Sequence, residues 1–225
     1  MTSRKFMLIL CLAVTPLIVG SQCAFFFSSG GGSSNSAEED NRGLVAVVST
    51  GTFVDAPVDG LNYESGSVSG VTDSDGEFEY EVGNTIRFFI GDVALGEAVK
   101  GKSLITPLDL VNNGEIDTPA VINIARLLQS LDSDPGDGFI TIPAAVRAAA
   151  ARSNVALSSA IEVLDFSDAT AFVNVASHLV AVLTRDYPFT AVLVDADNAR
   201  AHMIRSIDSE TTSGQTPFSG TPAGN

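Results

Sequence analysis

The chain has 225 residues, with 27 Asp and Glu against 12 Lys and Arg, and a formal net charge of −15 at pH 7. That balance argues against nucleic acid and anionic lipid as charge-held partners, since both are polyanions. Hydrophobic residues make up 45% of the chain, with 13 Phe and no Trp, a composition that excludes wholesale disorder.

At the start, Arg4 and Lys5 precede an apolar run from Phe6 to Val19 that ends at Gly20-Ser21-Gln22-Cys23. A basic head, an apolar core and small residues at its end form the pattern of a secretory signal. Cys23, just past the apolar core and ahead of a Ser/Gly tract, resembles the lipobox of bacterial lipoproteins. The resemblance implies that Cys23 is the mature N-terminus and the site of lipid attachment. Ala24, rather than Asp, in the next position implies sorting to the outer membrane. Gln22 and Gly20 depart from the usual pattern, which has a small residue before the Cys and Leu, Val or Ile three before it.

Two other readings of this segment stay open. Cleavage after Ser21 fits the small-residue rule, with Val19 at the −3 position. Alternatively, Phe6 to Phe27 stays uncleaved and is long enough to span a bilayer. All three export the folded part, to the outer membrane, the periplasm or the exterior. The second cysteine, Cys11, lies within the signal, so processing at Cys23 leaves no pair for an intramolecular disulfide.

Residues 24–42 read as a flexible Ser/Gly/Asn/Glu tether between the signal (1–23) and the first folded part. From 43 to 112 the signals are those of strands: Val45–Val48, Thr52–Val54, Leu61–Tyr63 and Ser67–Thr72 are short β-branched or apolar runs split by Gly, Asp and Pro. Asp75-Gly76 predicts a hairpin turn. After it, Phe78, Tyr80 and Val82 alternate with Glu77, Glu79 and Glu81, giving one apolar and one acidic face. Ile86, Phe88 and Ile90 repeat the alternation beyond Gly83-Asn84. Consecutive antiparallel strands packed as a β-sandwich are the expectation.

Val54-Asp55-Ala56-Pro57-Val58, Ser69-Gly70-Val71-Thr72-Asp73 and Gly76-Glu77-Phe78-Glu79-Tyr80 together resemble the carboxypeptidase-regulatory, or transthyretin-like, β-sandwich. The resemblance implies an accessory module of the kind found in stalks and adhesins, without catalysis of its own.

The period changes in 113–208. Thr118-Pro119 opens a helix, with Thr118 as N-cap and Val121, Ile124, Ala125, Leu128 and Leu131 on one face. Pro143–Arg152 and Ala156–Leu164 predict two shorter helices. Ser167 is the expected cap of a longer one carrying Phe172, Ala176, Leu179, Val180 and Leu183, and Asp195 that of a last one with Ala199, Met203 and Ile207. These form a small helical bundle, so the fold class is α+β, and 209–225 reads as a disordered tail. The run Asn123–Asp132 with Asp134 and Gly138–Ile142 resembles a module of lipoproteins and large surface proteins of marine gammaproteobacteria. In such proteins the strand-rich and helical parts travel together, and the resemblance implies no enzymatic activity.

The acidic loop Asp132-Ser133-Asp134-Pro135-Gly136-Asp137-Gly138 is the candidate metal site, with Asp132, Asp134 and Asp137 as oxygen ligands for Ca²⁺. Its spacing is not that of an EF-hand: counted from Asp132, Asp137 falls where Gly is required and Pro143 where the last carboxylate belongs. The competing reading is a solvated helix-ending turn in which Asp and Gly satisfy backbone groups. Asp73 and Asp75 read as hairpin-turn residues, while Asp109, Glu115 and Asp117 join a metal set only if folding brings them near Asp132.

His178 and His202 are the two histidines, and no His-Glu-x-x-His, Gly-x-Ser-x-Gly or phosphate-binding Gly-rich loop is present. The expected role is therefore a non-enzymatic envelope lipoprotein that acts as a binding, adhesion or scaffolding module with a protein or glycan partner. A calcium-stabilised surface module and a hydrolase with a distant Ser/His/Asp set stand as alternatives.

Overall fold

The computed structural model describes residues 46–213. The signal, Cys23, the tether and residues 214–225 lie outside the described residues. Ten strands and five helices are described, giving a mixed α+β protein.

The strand-rich half begins with β1 (Val48–Phe53), β2 (Val58–Asp59), β3 (Asn62–Ser65), β4 (Val68–Val71), β5 (Glu77–Glu81) and β6 (Thr85–Ile90). Two-residue strands β7 (Val93–Ala94), β8 (Val99–Lys100) and β9 (Leu104–Ile105) complete it. Phe78 and Tyr80 of β5 are buried between exposed Glu77 and Glu79, as the alternation predicts, and Ile86, Phe88 and Ile90 of β6 all point inward. Val82 departs from the pattern. It lies just past the end of β5 and is 54% exposed.

Pairing differs from a run of consecutive hairpins. β3 pairs with β4 and with β6, and β7 extends that sheet to the order β4-β3-β6-β7, with β8 also on β6. β5 leaves its sequence neighbours and pairs antiparallel with β1, which also takes β9 in parallel. The cause is local. Asp73 accepts the Asp75 and Glu77 amides on one oxygen, and the Gly76 carbonyl then accepts the Phe53 amide, so the turn hands the chain to β1 rather than back to β4.

The helices are α1 (Pro119–Ser130), α2 (Ala144–Ala149), α3 (Ser158–Val163), α4 (Ala169–Leu183) and α5 (Ala196–Ser213). Every apolar position predicted on α1 and α4 is buried. This half is not purely helical. β10 (Ile140–Thr141) follows α1 and pairs in parallel with β2, tying it to the strand half. One buried cluster runs through both halves, from Phe53 and Phe88 to Leu128, Phe172 and Leu179.

Thr118 holds the predicted N-cap position of α1 without a side-chain cap bond, whereas the predicted cap of α4 changes. The Thr118 hydroxyl accepts the Glu115 amide instead. Ser167 does not cap α4; its hydroxyl donates to Asp165, and Asp168 takes the Thr170 and Ala171 amides. Asp195 does sit at the start of α5, accepting the Asp197 amide. Asp168→Ala should therefore lower stability by about 1 kcal/mol in urea denaturation, with Ser167→Ala close to neutral. The reverse order would reassign the cap.

Candidate functional site

α1 has an apolar face in the core and a polar flank that reaches four other segments. The Asn123 amide donates to the Phe166 carbonyl at 2.9 Å, and Arg126 Nε donates to the Val194 carbonyl at 2.7 Å. Arg126 also lies 5.5 Å from the centre of the Phe172 ring, and burial lowers its pKa from the ordinary value. Ser130 accepts the Val194 amide at 2.8 Å.

Gln129 carries the flank to the feature with the most chemistry. Its Nε2 donates to both oxygens of Asp55, at 3.2 and 3.0 Å, and to the Ala199 carbonyl of α5 at 3.2 Å. Asp55 sits in the turn between β1 and β2, where Val54 and Pro57 bridge, and is wholly buried. The turn holds the next residue, Ala56, at φ 61, a left-handed conformation that costs a non-glycine residue about 1 kcal/mol. His202 of α5 brings Nδ1 to 3.4 Å from Asp55 Oδ1, a long contact for a hydrogen bond. Burial raises the Asp55 carboxyl above its ordinary range, against the lowering effect of His202 and Gln129.

The partly exposed edge of His202 lines a pocket of about 380 Å³ with Gln129, Asp132, Phe139 and Val194. Asp132 is 6% exposed, and burial raises its pKa while the Thr141 and Asp134 amides on Oδ1 lower it. The charges of Asp137 and Asp134 raise it further. Nearby, Tyr187 donates its phenol proton to the Leu131 carbonyl, and burial together with the Asp132 charge pushes its pKa up to about 12.

Of the three predicted metal ligands, Asp132 and Asp137 each use Oδ1 to hold backbone amides, those of Asp134 and Thr141 for the first and that of Phe139 for the second. Among the described residues no group of three or more His, Cys, Asp or Glu is gathered as a metal set. Two of the other acids are engaged elsewhere: Asp109 pairs with Lys102 at 2.6 Å, and Asp117 with Arg200. His178 is exposed on α4, whereas His202 meets an acid. Ser206 is on the same helix, but its hydroxyl donates to the backbone carbonyl of His202 rather than to the ring.

A second concavity, of about 860 Å³, lies on the outer face of the β4-β3-β6-β7 sheet and shares no lining residue with the His202 pocket. The class these observations define is an α+β domain with a buried acid–histidine contact at one pocket and an open groove on its sheet. No family model, no curated protein and no solved structure matches the chain. Among the described residues no helix is long and apolar enough to cross a membrane.

Proposed function

We propose that the chain is a non-enzymatic envelope module, exported and lipid-anchored at Cys23, that binds a partner through an exposed surface. One observation carries this reading. The larger concavity is built from the sheet face and is separate from the Asp55–His202 contact, whose acid is spent on joining the β1–β2 turn to α1 and α5. A concave surface lined by a few convergent polar groups is the default binding site of a domain. Screening the purified protein against ester, glycoside and peptide substrates tests the reading. Turnover abolished by His202→Ala would overturn it in favour of the hydrolase. Mass spectrometry of the mature N-terminus tests the anchor through a diacylglyceryl mass on Cys23.

The finer architecture in this reading is a transthyretin-like β-sandwich followed by a helical bundle. It is supported by aromatic contacts between residues of two different sheets, Phe53 to Phe88 and Phe78 to Phe88, at 4.8 and 5.2 Å.

Calcium at the Asp132 loop is a second reading, favoured by the proximity of Asp134 and Asp137, whose charges act on the Asp132 carboxylate. It predicts a rise in melting temperature at millimolar Ca²⁺ that Asp137→Asn removes. An unchanged melting curve disposes of it.

A further inference from the structure

We propose that the groove on the outer face of the β4-β3-β6-β7 sheet binds a carboxylated polysaccharide, its uronate groups received by Arg87, Arg147 and Arg152. The proposal rests on the binding-module reading and gives it a ligand class.

The groove is made by alternation. Inward positions of β3 and β6 fill the core with Tyr63, Phe88 and Ile90, so the intervening residues Asn62, Glu64, Arg87 and Phe89 must stand on the other face. Register puts Asn62 opposite Phe89 and Glu64 opposite Arg87, which forms the floor. The wall comes from a distant part of the chain. The β6–β7 turn is docked against the end of α2: the Asp92 amide donates to the Ala150 carbonyl, and the Asp92 carboxylate accepts the Arg152 amide at 2.6 Å. Gly91 at this joint has φ +59, and a Cβ there would lie 2.3 Å from the Arg147 carbonyl oxygen, so only glycine permits the approach. The joint carries Arg147 and Arg152 to the side of a sheet that already presents Arg87.

Three arginines on one groove stand out in a chain with net charge −15. Among the described residues the Arg87 and Arg152 side chains have no ion pair or hydrogen bond, while Arg147 uses Nη1 to donate to the Ile142 carbonyl at 2.6 Å. Guanidinium groups left without acids are matched to planar carboxylates, which they hold through two parallel hydrogen bonds.

The remaining lining decides between kinds of anion. Glu64 and Asp92 offset two of the three positive charges, so the groove suits sparse charge rather than a dense polyanion. A nucleic acid or heavily sulfated chain would also meet the repulsion of the acidic body around it. Asn62, Ser69 and the two carboxylates offer donors and acceptors for hydroxyls, and half-exposed Phe89 offers an apolar face for sugar C–H groups. An acidic peptide brings few hydroxyls to that set. A polymer with one carboxylate and several hydroxyls per ring matches it.

The test is calorimetric titration of the purified protein, without its signal, with a galacturonate tetramer at low ionic strength. Saturable binding is expected, weakened at least tenfold by Arg87→Gln with Arg152→Gln and weakened by added salt. Both side chains are exposed, so the double variant should keep the wild-type melting temperature. The methyl-esterified tetramer, which lacks the charge, should not bind. No binding of the tetramer, equal binding by the double variant, binding of the ester, or tighter binding of polyglutamate or dextran sulfate would overturn the proposal. None of these outcomes touches the binding-module reading, which stands or falls on turnover sensitive to His202.

Discussion

Phe88→Ala is expected to lower the unfolding free energy by about 3–5 kcal/mol, the range for emptying a large aromatic side chain from a core. Phe88 is 1% exposed, and its ring lies 4.8 Å from Phe53 and 5.2 Å from Phe78. Those partners belong to β1 and β5, in the three-stranded sheet, whereas Phe88 belongs to β6 in the other. The rings therefore pack together two sheets that share no strand-ladder hydrogen bonds, alongside the Tyr63–Phe78 contact and the side-chain hydrogen bonds of Ser65 and Glu81. A domain of this size has about 5–15 kcal/mol in total, so one such loss takes up a large share of it. Phe89→Ala is the matched control: one residue on, the side chain is half-buried on the opposite face. Urea denaturation of the two variants should separate them by about 2 kcal/mol or more. Equal losses would mean that the inward and outward faces of β6 are misassigned, and with them the floor of the groove.

That contrast also shows how far the chain can be read before it is folded. Alternation in Glu77–Glu81 and Thr85–Ile90, and the spacing of Val121, Ile124 and Leu128, are local signals, and burial follows them residue by residue. Pairing is not local. Asp75-Gly76 is a turn in either topology, and only the Phe53 amide, far back along the chain, decides that β5 goes to β1. The parallel pairs β1–β9 and β2–β10 have no turn signature at all, because their connections pass through other elements. The sites divide in the same way. His202 is one of two histidines and so stands out by residue type, but its partner Asp55 lies inside a stretch that carries only the transthyretin-like resemblance. A single acid among Val54, Ala56 and Val58 was the available signal for burial. Arg87, between inward Ile86 and Phe88, was legible as an outward cation, but Arg147 and Arg152 reach its groove only through the docking of α2.

The second large effect is expected at Asp55, and its dependence on pH separates the possible causes. Asp55→Ala removes an acceptor from the Gln129 amide inside a closed site and empties the space beneath a strained turn. Loss of a buried polar partner costs about 1–3 kcal/mol, to which the cavity adds. Asp55→Asn keeps an oxygen for Gln129 and presents its amide toward His202 Nδ1, so its cost should be smaller, about 1 kcal/mol or less. The acid differs from both variants in how it responds to protons. Burial raises the carboxyl above its ordinary value of 3.8, so the folded state holds that proton more tightly than the unfolded chain does. Its contribution to stability is therefore complete below about pH 4 and is lost as pH rises through the folded-state pKa. Neither the alanine nor the asparagine variant has that proton, so both should gain on the wild type as pH is raised from 4 upward, with the asparagine variant in the lead throughout. Melting temperatures of the three proteins across that range provide the check. If the difference between wild type and Asp55→Asn instead grows with pH, the charge on Asp55 is favoured in the fold. The 3.4 Å contact with His202 would then be an ion pair strong enough to outweigh burial.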